Sequence, residues 1–174
     1  MTNVESVIGN YHEFLGEILD RISDEGFDLS DFSQIDHMCY RTTSDENYQQ
    51  MKSNLSAVAK LLGETLVNGR PIATFRLNEP VIHAPWRIDA IELPAPKHDK
   101  THKEGLEHIE FVLFDDFPTF LAKYPDKPFD LKAVDRGINP EIGLSLGKYS
   151  VKFHLLSLPA VLYLENKLGI HTVS

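Results

Sequence analysis

Two stretches, Ile35-Asp-His-Met-Cys-Tyr-Arg41 and Leu106-Glu-His-Ile-Glu-Phe-Val-Leu113, decide the fold of this chain. Each alternates polar and apolar residues, which is typical of a β-strand with two different faces. Each also has an acid directly before a histidine, at His37 and at His108. Two strands that share such a pattern suggest that one unit occurs twice in the chain.

The sequence that follows each strand also recurs in the same order. Residues 70–77 (RPIATFRL) align with 139–146 (NPEIGLSL), and residues 91–95 (IELPA) align with 156–160 (LSLPA). In both halves the hydrophobic pattern predicts a strand, a helix and then three strands. The sequence therefore predicts an α+β fold made of paired βαβββ modules.

Hydrophobic spacing and capping signals place the individual elements. A first amphipathic helix is expected over 4–24, capped by Thr2 or Asn3, and a second opens at a Thr43–Glu46 capping box and ends at Gly63. Asn68-Gly69 is a hairpin signal. The remaining expectations are strands at 65–68, 71–78, 86–93, 106–113, 129–134, 141–147 and 150–157, and helices at 115–124 and 159–168.

The predicted organisation is one globular domain in four parts. Residues 1–34 form an N-terminal helical extension, 35–97 the first module, 98–105 a polar linker, and 106–174 the second module with a C-terminal helix. The apolar face of the N-terminal helix must be covered, either by a module or by a second chain, so a homodimer is one possible arrangement.

Composition excludes several classes of function. With 174 residues and a net charge of −9, the chain lacks the basic surface that nucleic acid or an anionic membrane would need. A single cysteine, Cys39, excludes an internal disulfide, and it is expected to be a small buried side chain. No signal peptide or membrane span is recognisable, so a soluble cytoplasmic protein is expected.

The paired histidines point to a metal site. Alternation places His37, Cys39 and Arg41 on one face of the first strand, and His108 and Glu110 on one face of its counterpart. A duplication brings the two histidines to equivalent places. Two histidines with a carboxylate suit a divalent Zn, Fe, Mn or Ni ion with open coordination positions.

Glu92 is the expected carboxylate ligand, because it ends the fourth strand of the first module. In the aligned repeat its partner is Ser157, a poor ligand, so the fourth ligand stays open among Glu110, Glu141 and His154. His98 and His102 lie in the polar linker and are expected to be solvated.

Arg41 is the first candidate for binding a substrate carboxylate or phosphate, because it shares the face of His37 and guanidinium offers a planar fork of donors. Arg76 and Arg87 are weaker candidates. No phosphate-binding glycine loop, CxxC pair or HExxH helix is present.

The words DHMCYRT, EHIEF, NPEI and VKFHLLSLPA resemble the YecM family of uncharacterised bacterial proteins over essentially the whole chain. That family resembles the vicinal-oxygen-chelate superfamily, in which paired βαβββ modules form an incomplete barrel around a divalent metal. Its members include glyoxalases, extradiol dioxygenases, epimerases and ligand-binding proteins without metal. The resemblance implies His37, Glu92 and His108 as ligands, while Ser157 departs from a four-ligand pattern.

Two functional hypotheses follow. In the first, the protein is a metal-dependent isomerase, lyase or dioxygenase acting on a small oxygenated substrate, with Glu110 or Glu141 as fourth ligand or general base. In the second, the same cavity binds a small molecule without metal, or the acidic surface serves an adaptor role towards a partner.

Overall fold

The computed structural model describes residues 2–67, 69–97 and 103–169. In chain order the elements are α1 (Val4–Ile8), α2 (Tyr11–Asp24), β1 (Phe32–Arg41), α3 (Asp45–Leu55), β2 (Ala59–Val67), β3 (Arg70–His83), β4 (Trp86–Pro94), β5 (Gly105–Leu113), α4 (Phe117–Lys123), β6 (Ile142–Leu146), β7 (Tyr149–His154) and α5 (Leu158–Leu168). Among these helices none combines the length and apolar character that crossing a membrane requires.

One seven-stranded mixed sheet, in the order β2-β3-β4-β1-β5-β7-β6, carries the whole fold. β1 and β5 pair antiparallel at its centre, and each has a parallel partner on its outer side, β4 beside β1 and β7 beside β5. The two halves are thus related by a pseudo-twofold axis through the facing pair Met38 and Ile109. The predicted α+β fold is confirmed.

The second half has one strand fewer than expected. Residues 129–134 form no strand, and only Asp130 bridges to Gly143. Pro125 and Pro128 precede this segment, and proline lacks the backbone N–H that a sheet ladder requires.

Three bulges in the central strands set which side chains share a face. The pairing register slips at Ser33 and Asp36 in β1 and at Glu107 in β5. Each bulge adds one residue to its strand. Phe32, Ile35 and Met38, which are three residues apart, therefore lie on the same face. The face with Met38 and Ile109 is therefore apolar, and the opposite face carries the polar residues His37, Cys39, His108 and Glu110.

The apolar face packs against the helices around a cluster of aromatic rings. Phe111 and Phe153 lie on neighbouring strands with their rings stacked at 6.0 Å, and Phe32 stacks on Phe111 at 4.2 Å. Phe27, just after α2, and Phe120 of α4 cover Phe153 from the helical layer. The polar face consequently points away from the helices α2 and α4.

Several predicted boundaries were wrong for local reasons. Gly9 has a positive φ of 85° and Asn10 caps a new helix, so the helix expected over 4–24 is two helices. The second predicted helix begins at Asp45 with Ser44 as its cap, not at Thr43. It stops at Leu55, and after a turn at 56–58 the residues Ala59–Val67 form β2.

The Asn68-Gly69 hairpin is present, since Val67 pairs with Arg70, although Asn68 itself lies outside the described residues. Of the predicted linker, residues 98–102, with His98 and His102, also lie outside them.

Candidate metal centre

The candidate centre lies on the polar face, where neighbouring strands place their side chains in register. His37 of β1 faces Glu110 of β5, which in turn faces Lys152 of β7. One step along, Cys39 lies between His108 of β5 and Glu92 of β4. Partners in register share a face, so β-pairing alone assembles this cluster.

The ring of His37 is fixed on one side and unpaired on the other. Nδ1 lies 3.1 Å from Asp36 Oδ2, and Asp36 also accepts the backbone N–H of Leu158 at the start of α5. Nε2 is buried without a hydrogen-bond partner, with Glu110 Oε2 at 3.4 Å and Glu92 Oε2 at 3.6 Å. A carboxylate at Nδ1 holds the proton there and leaves the Nε2 lone pair for a ligand.

His154 at the end of β7 has the same arrangement. Its Nδ1 lies 3.2 Å from the carbonyl oxygen of Pro140, and a carbonyl only accepts, so this nitrogen is the donor. Its Nε2 is buried without a hydrogen-bond partner and contacts Glu110 Oε2. Two imidazole nitrogens thus face one carboxylate oxygen, an arrangement that either a proton on each nitrogen or a bound cation would satisfy.

Glu110 is the centre of this cluster and is only 3% exposed. Its Oε1 lies 2.8 Å from Lys152 Nζ and 3.3 Å from His108 Nε2. Burial acts to raise the pKa of Glu110, but the charges of Lys152, His37 and His154 outweigh burial and hold the pKa well below its ordinary value.

The other groups respond to the same charges. Burial acts to lower the pKa of His37, yet Glu110 and Glu92 raise it well above the ordinary value. The pKa of Lys152 is raised as well, because Glu110, Glu141 and Glu92 outweigh its burial. In the absence of a metal, the carboxylates thus favour the protonated forms of His37 and Lys152. A metal ion bound at His37 would displace its proton.

Among the residues that the structure describes, three groups of potential ligands have their ligand atoms within 4.8 Å of one another. His37 and Glu92 come together with Glu110, and Glu110 also joins Glu141 and His154. His108 belongs to a different group, with Cys39 and Glu107. The predicted set of His37, Glu92 and His108 is therefore not one cluster, and Glu110 takes the place of His108 beside His37.

His108 is already fully hydrogen-bonded. Nδ1 lies 2.9 Å from Glu107 Oε2, Nε2 lies 3.3 Å from Glu110 Oε1, and Glu107 also binds Arg41. Burial acts to lower the pKa of His108, but Cys39, Glu107 and Glu110 raise it to about 10. Burial acts to raise the pKa of Glu107, yet His108 and Arg41 lower it to about 2. These groups form a closed ion-pair network.

The assignment of Ser157 as the repeat partner of Glu92 was wrong. The pairs Cys39–Glu92 and Glu110–Lys152 are equivalent under the pseudo-twofold axis, so Lys152 occupies the position of Glu92. Ser157 lies beyond β7 as the N-cap residue of α5. The repeat partner of one candidate ligand is thus a cation.

A cavity of about 740 Å³ opens over the centre. Glu92, Glu110 and Glu141 line it, with Glu110 almost fully buried in its wall. The basic residues in its wall are Arg41, Arg70, Lys97, Arg136 and Lys152. The predicted substrate-binding residue Arg41 does line this cavity, whereas Arg76 and Arg87 are exposed outside it.

Sequence reasoning ranked His154 low and did not find Lys152 or Arg70. His154 shares its face with Lys152, two residues earlier in β7, but the parallel register that brings both to Glu110 has no local sequence signal. Arg70 begins the segment 70–77 that aligns with 139–146, and this alignment gives no indication of a binding role for it.

Comparison with solved structures supports the fold. The structural genomics protein EC4020 matches with a TM-score of 0.74 and 29% identity, covering 88% of this chain and 87% of that one. Methylmalonyl-CoA epimerase from Streptomyces coelicolor matches with a TM-score of 0.51 and 14% identity over 71% of this chain and 96% of that one. Its counterpart from Mycobacterium tuberculosis gives 0.52 and 12%, over 75% and 93%. The chain therefore shares the fold of these proteins.

Comparison of sequences gives the family. Protein YecM of Escherichia coli (strain K12) is 32% identical over 145 residues, which cover 75% of this chain and 77% of that protein. An uncharacterised protein of Haemophilus influenzae is 40% identical over 86 residues, 49% of this chain and 44% of that protein. The family model described as YecM protein matches residues 3–127. The chain therefore belongs to the YecM family.

Proposed function

We propose that this protein binds a divalent metal ion through His37, Glu92 and Glu110, with His154 in contact with Glu110, and acts as an enzyme on a small oxygenated substrate. The observation that carries the proposal is the pair of buried Nε2 atoms, on His37 and His154, that lack hydrogen-bond partners and face one oxygen of Glu110. Buried polar atoms are nearly always paired, and a metal ion bound beside Glu110 would pair these nitrogens without a proton on either of them.

The donor set fits such an ion. One neutral imidazole with two carboxylates suits Zn, Fe(II), Mn or Ni with open coordination positions, and the carboxylate at His37 Nδ1 is the outer partner that metal-binding histidines usually have. A bound metal supplies a positive charge that polarises a substrate oxygen or lowers the pKa of a bound water.

Glu141 is the residue we assign to proton transfer. It lines the cavity next to the centre, where Lys152 lies at 3.3 Å and Arg136 at 3.4 Å from its Oε2. A carboxylate in this position can accept a proton from a bound substrate. Glu110, in contact with both histidines, is assigned as a ligand rather than a base.

The direct test is the metal content of untagged protein, before and after reconstitution with Zn, Fe(II), Mn or Ni. We expect close to one ion per chain in the native sequence and loss of that ion in His37→Ala and His154→Ala. His12→Ala, which removes an exposed histidine on α2, is the matched control and should keep its metal. Metal contents no different between the native protein and the two site variants would overturn the proposal.

A second candidate function, metal-free binding of a small molecule, is favoured by one observation. Lys152 Nζ already lies 2.8 Å from Glu110 Oε1, so a resident cation partly neutralises the central carboxylate. In this case the cavity binds its ligand with the centre as a polar wall, and chelators have no effect on ligand binding.

The variant Lys152→Met separates the two functions. If the centre binds metal, removal of a competing cation strengthens metal binding, measured by competition with a chromogenic chelator. If Lys152 is the permanent counter-ion, the variant leaves Glu110 unpaired, does not gain metal affinity and unfolds at lower temperature. The control Lys148→Met changes an exposed lysine two residues after β6 and should alter neither property.

A further inference from the structure

Arg70 lines the cavity wall without a short-range ion pair to any residue that the structure describes. Its Nη1 donates a hydrogen bond of 3.2 Å to the backbone oxygen of Ala95. Among the residues that the structure describes, no carboxylate lies within 4.0 Å of its guanidinium. The two other arginines of the wall differ, since Arg41 pairs with Glu107 and Arg136 with Glu141.

A second guanidinium lies close to it. Arg41 ends β1 and lines the same cavity, and its contact with Glu107 uses Nε, which leaves its terminal N–H groups available. Burial lowers the pKa of Arg70 and the charge of Arg41 lowers it further, while Cys39, Glu92 and Glu107 act to raise it. Two like charges held together in a partly buried wall cost free energy that an anion between them would recover.

The carboxylates of the centre line the same cavity as the two arginines. Glu92 and Glu110 line it together with Arg41 and Arg70, and its volume of about 740 Å³ is in the range of small-molecule sites. A ligand in this cavity can contact both the arginines and the proposed metal.

We propose that the substrate is a small oxygenated acid whose carboxylate binds Arg70 and Arg41, so that its remaining oxygens reach the centre at Glu92 and Glu110. Planar guanidinium groups match the two oxygens of a carboxylate, which gives both affinity and a fixed orientation. This inference rests on the proposed function, because the metal is what the acid is oriented towards.

Calorimetric binding of malate, compared with its uncharged diamide, tests the inference on metal-loaded protein. Malate should bind and the diamide should bind at least roughly tenfold more weakly, as expected for loss of charged hydrogen bonds. Arg70→Gln should weaken malate binding by a similar factor and remove the preference for the acid. Arg70→Lys, which keeps the charge without the fork, should fall between the two.

Arg76→Gln is the matched control, because Arg76 lies on the same strand but is exposed outside the cavity, and it should bind malate as the native protein does. Circular dichroism establishes that each variant is folded, and its metal content is measured in parallel. If Arg70→Gln keeps its metal and binds malate and the diamide as the native protein does, this inference fails while the proposed function stands. If no metal binds but malate still depends on Arg70, the metal function fails and the acid site stands.

Discussion

At the scale of single residues, each half of the molecule has an acidic residue directly before a histidine, but the two pairs differ in their contacts. Asp36 and Glu107 are both bulge residues, and each lies against Nδ1 of the histidine that follows it. His37 is left with an unpaired Nε2, whereas His108 has both nitrogens engaged. The duplicated pattern thus yields one open centre and one closed ion-pair network.

We expect Asp36→Asn to weaken metal binding by roughly 10–100-fold, the usual cost of losing the outer partner of a ligating histidine. The amide removes the charge that holds the proton on Nδ1 of His37 and so no longer favours a free Nε2. Affinity is measured by competition with a chelator of known strength. Glu107→Gln is the matched control, since it alters the equivalent carboxylate at His108 and should leave the affinity unchanged. Equal losses in both variants, or none in Asp36→Asn, would contradict the asymmetry described above.

At the scale of elements, a partly buried polar contact holds α3 against β2. Tyr48 donates a hydrogen bond of 2.6 Å to Glu64 Oε2, and Lys52 pairs with the same oxygen. Burial acts to raise the pKa of Glu64, but Lys52 and Tyr48 outweigh it and hold the pKa below its ordinary value of 4.5. The folded state therefore favours ionised Glu64, and this stabilisation is present above pH 4.5 and lost as the pH falls below it.

Glu64→Gln should lower the free energy of unfolding by about 1 kcal/mol near neutral pH, the usual net value of such a hydrogen bond. Urea unfolding of both proteins over a range of pH should show this difference shrinking below pH 4.5, where Glu64 takes up a proton. Glu79→Gln, at an exposed position of β3, should show no comparable difference. A difference that stays constant at acid pH would mean that the charge of Glu64 is not what stabilises the contact.

The faces of single strands could be predicted from the sequence, but the pairing between strands could not. Alternation was enough to place His37, Cys39, His108 and Glu110 on the polar face, because β1 and β5 read as strands on their own. The bulges at Ser33 and Asp36 and the pairing of Glu110 with Lys152 depend on how separate strands align, and no local pattern encodes that alignment. The fold was therefore predictable to the level of its modules, and the centre only in part.

At the scale of the whole molecule, one apolar core joins the N-terminal helices to both halves of the sheet. Phe27 follows α2 and contacts Phe153 of β7 at 5.9 Å and Phe120 of α4 at 6.1 Å. Through Phe111 the same cluster reaches Trp86 of β4, with ring centroids 5.9 Å apart. A polar centre between two sheet halves can keep its geometry because this continuous core lies directly behind it.

Phe27→Ala should therefore destabilise the whole molecule, by about 3–5 kcal/mol, the usual cost of removing a buried phenylalanine ring. Trp86 is the single tryptophan, so its fluorescence reports on β4 in the first half, while far-UV circular dichroism reports on all helices and strands. Because one core connects these parts, both signals should change together in a single transition at lower denaturant concentration. Phe114→Ala, at a side chain that is 70% exposed, should stay within about 0.5 kcal/mol of the native protein. An early loss of helical signal with unchanged Trp86 fluorescence would show instead that the N-terminal helices form a separate cooperative unit.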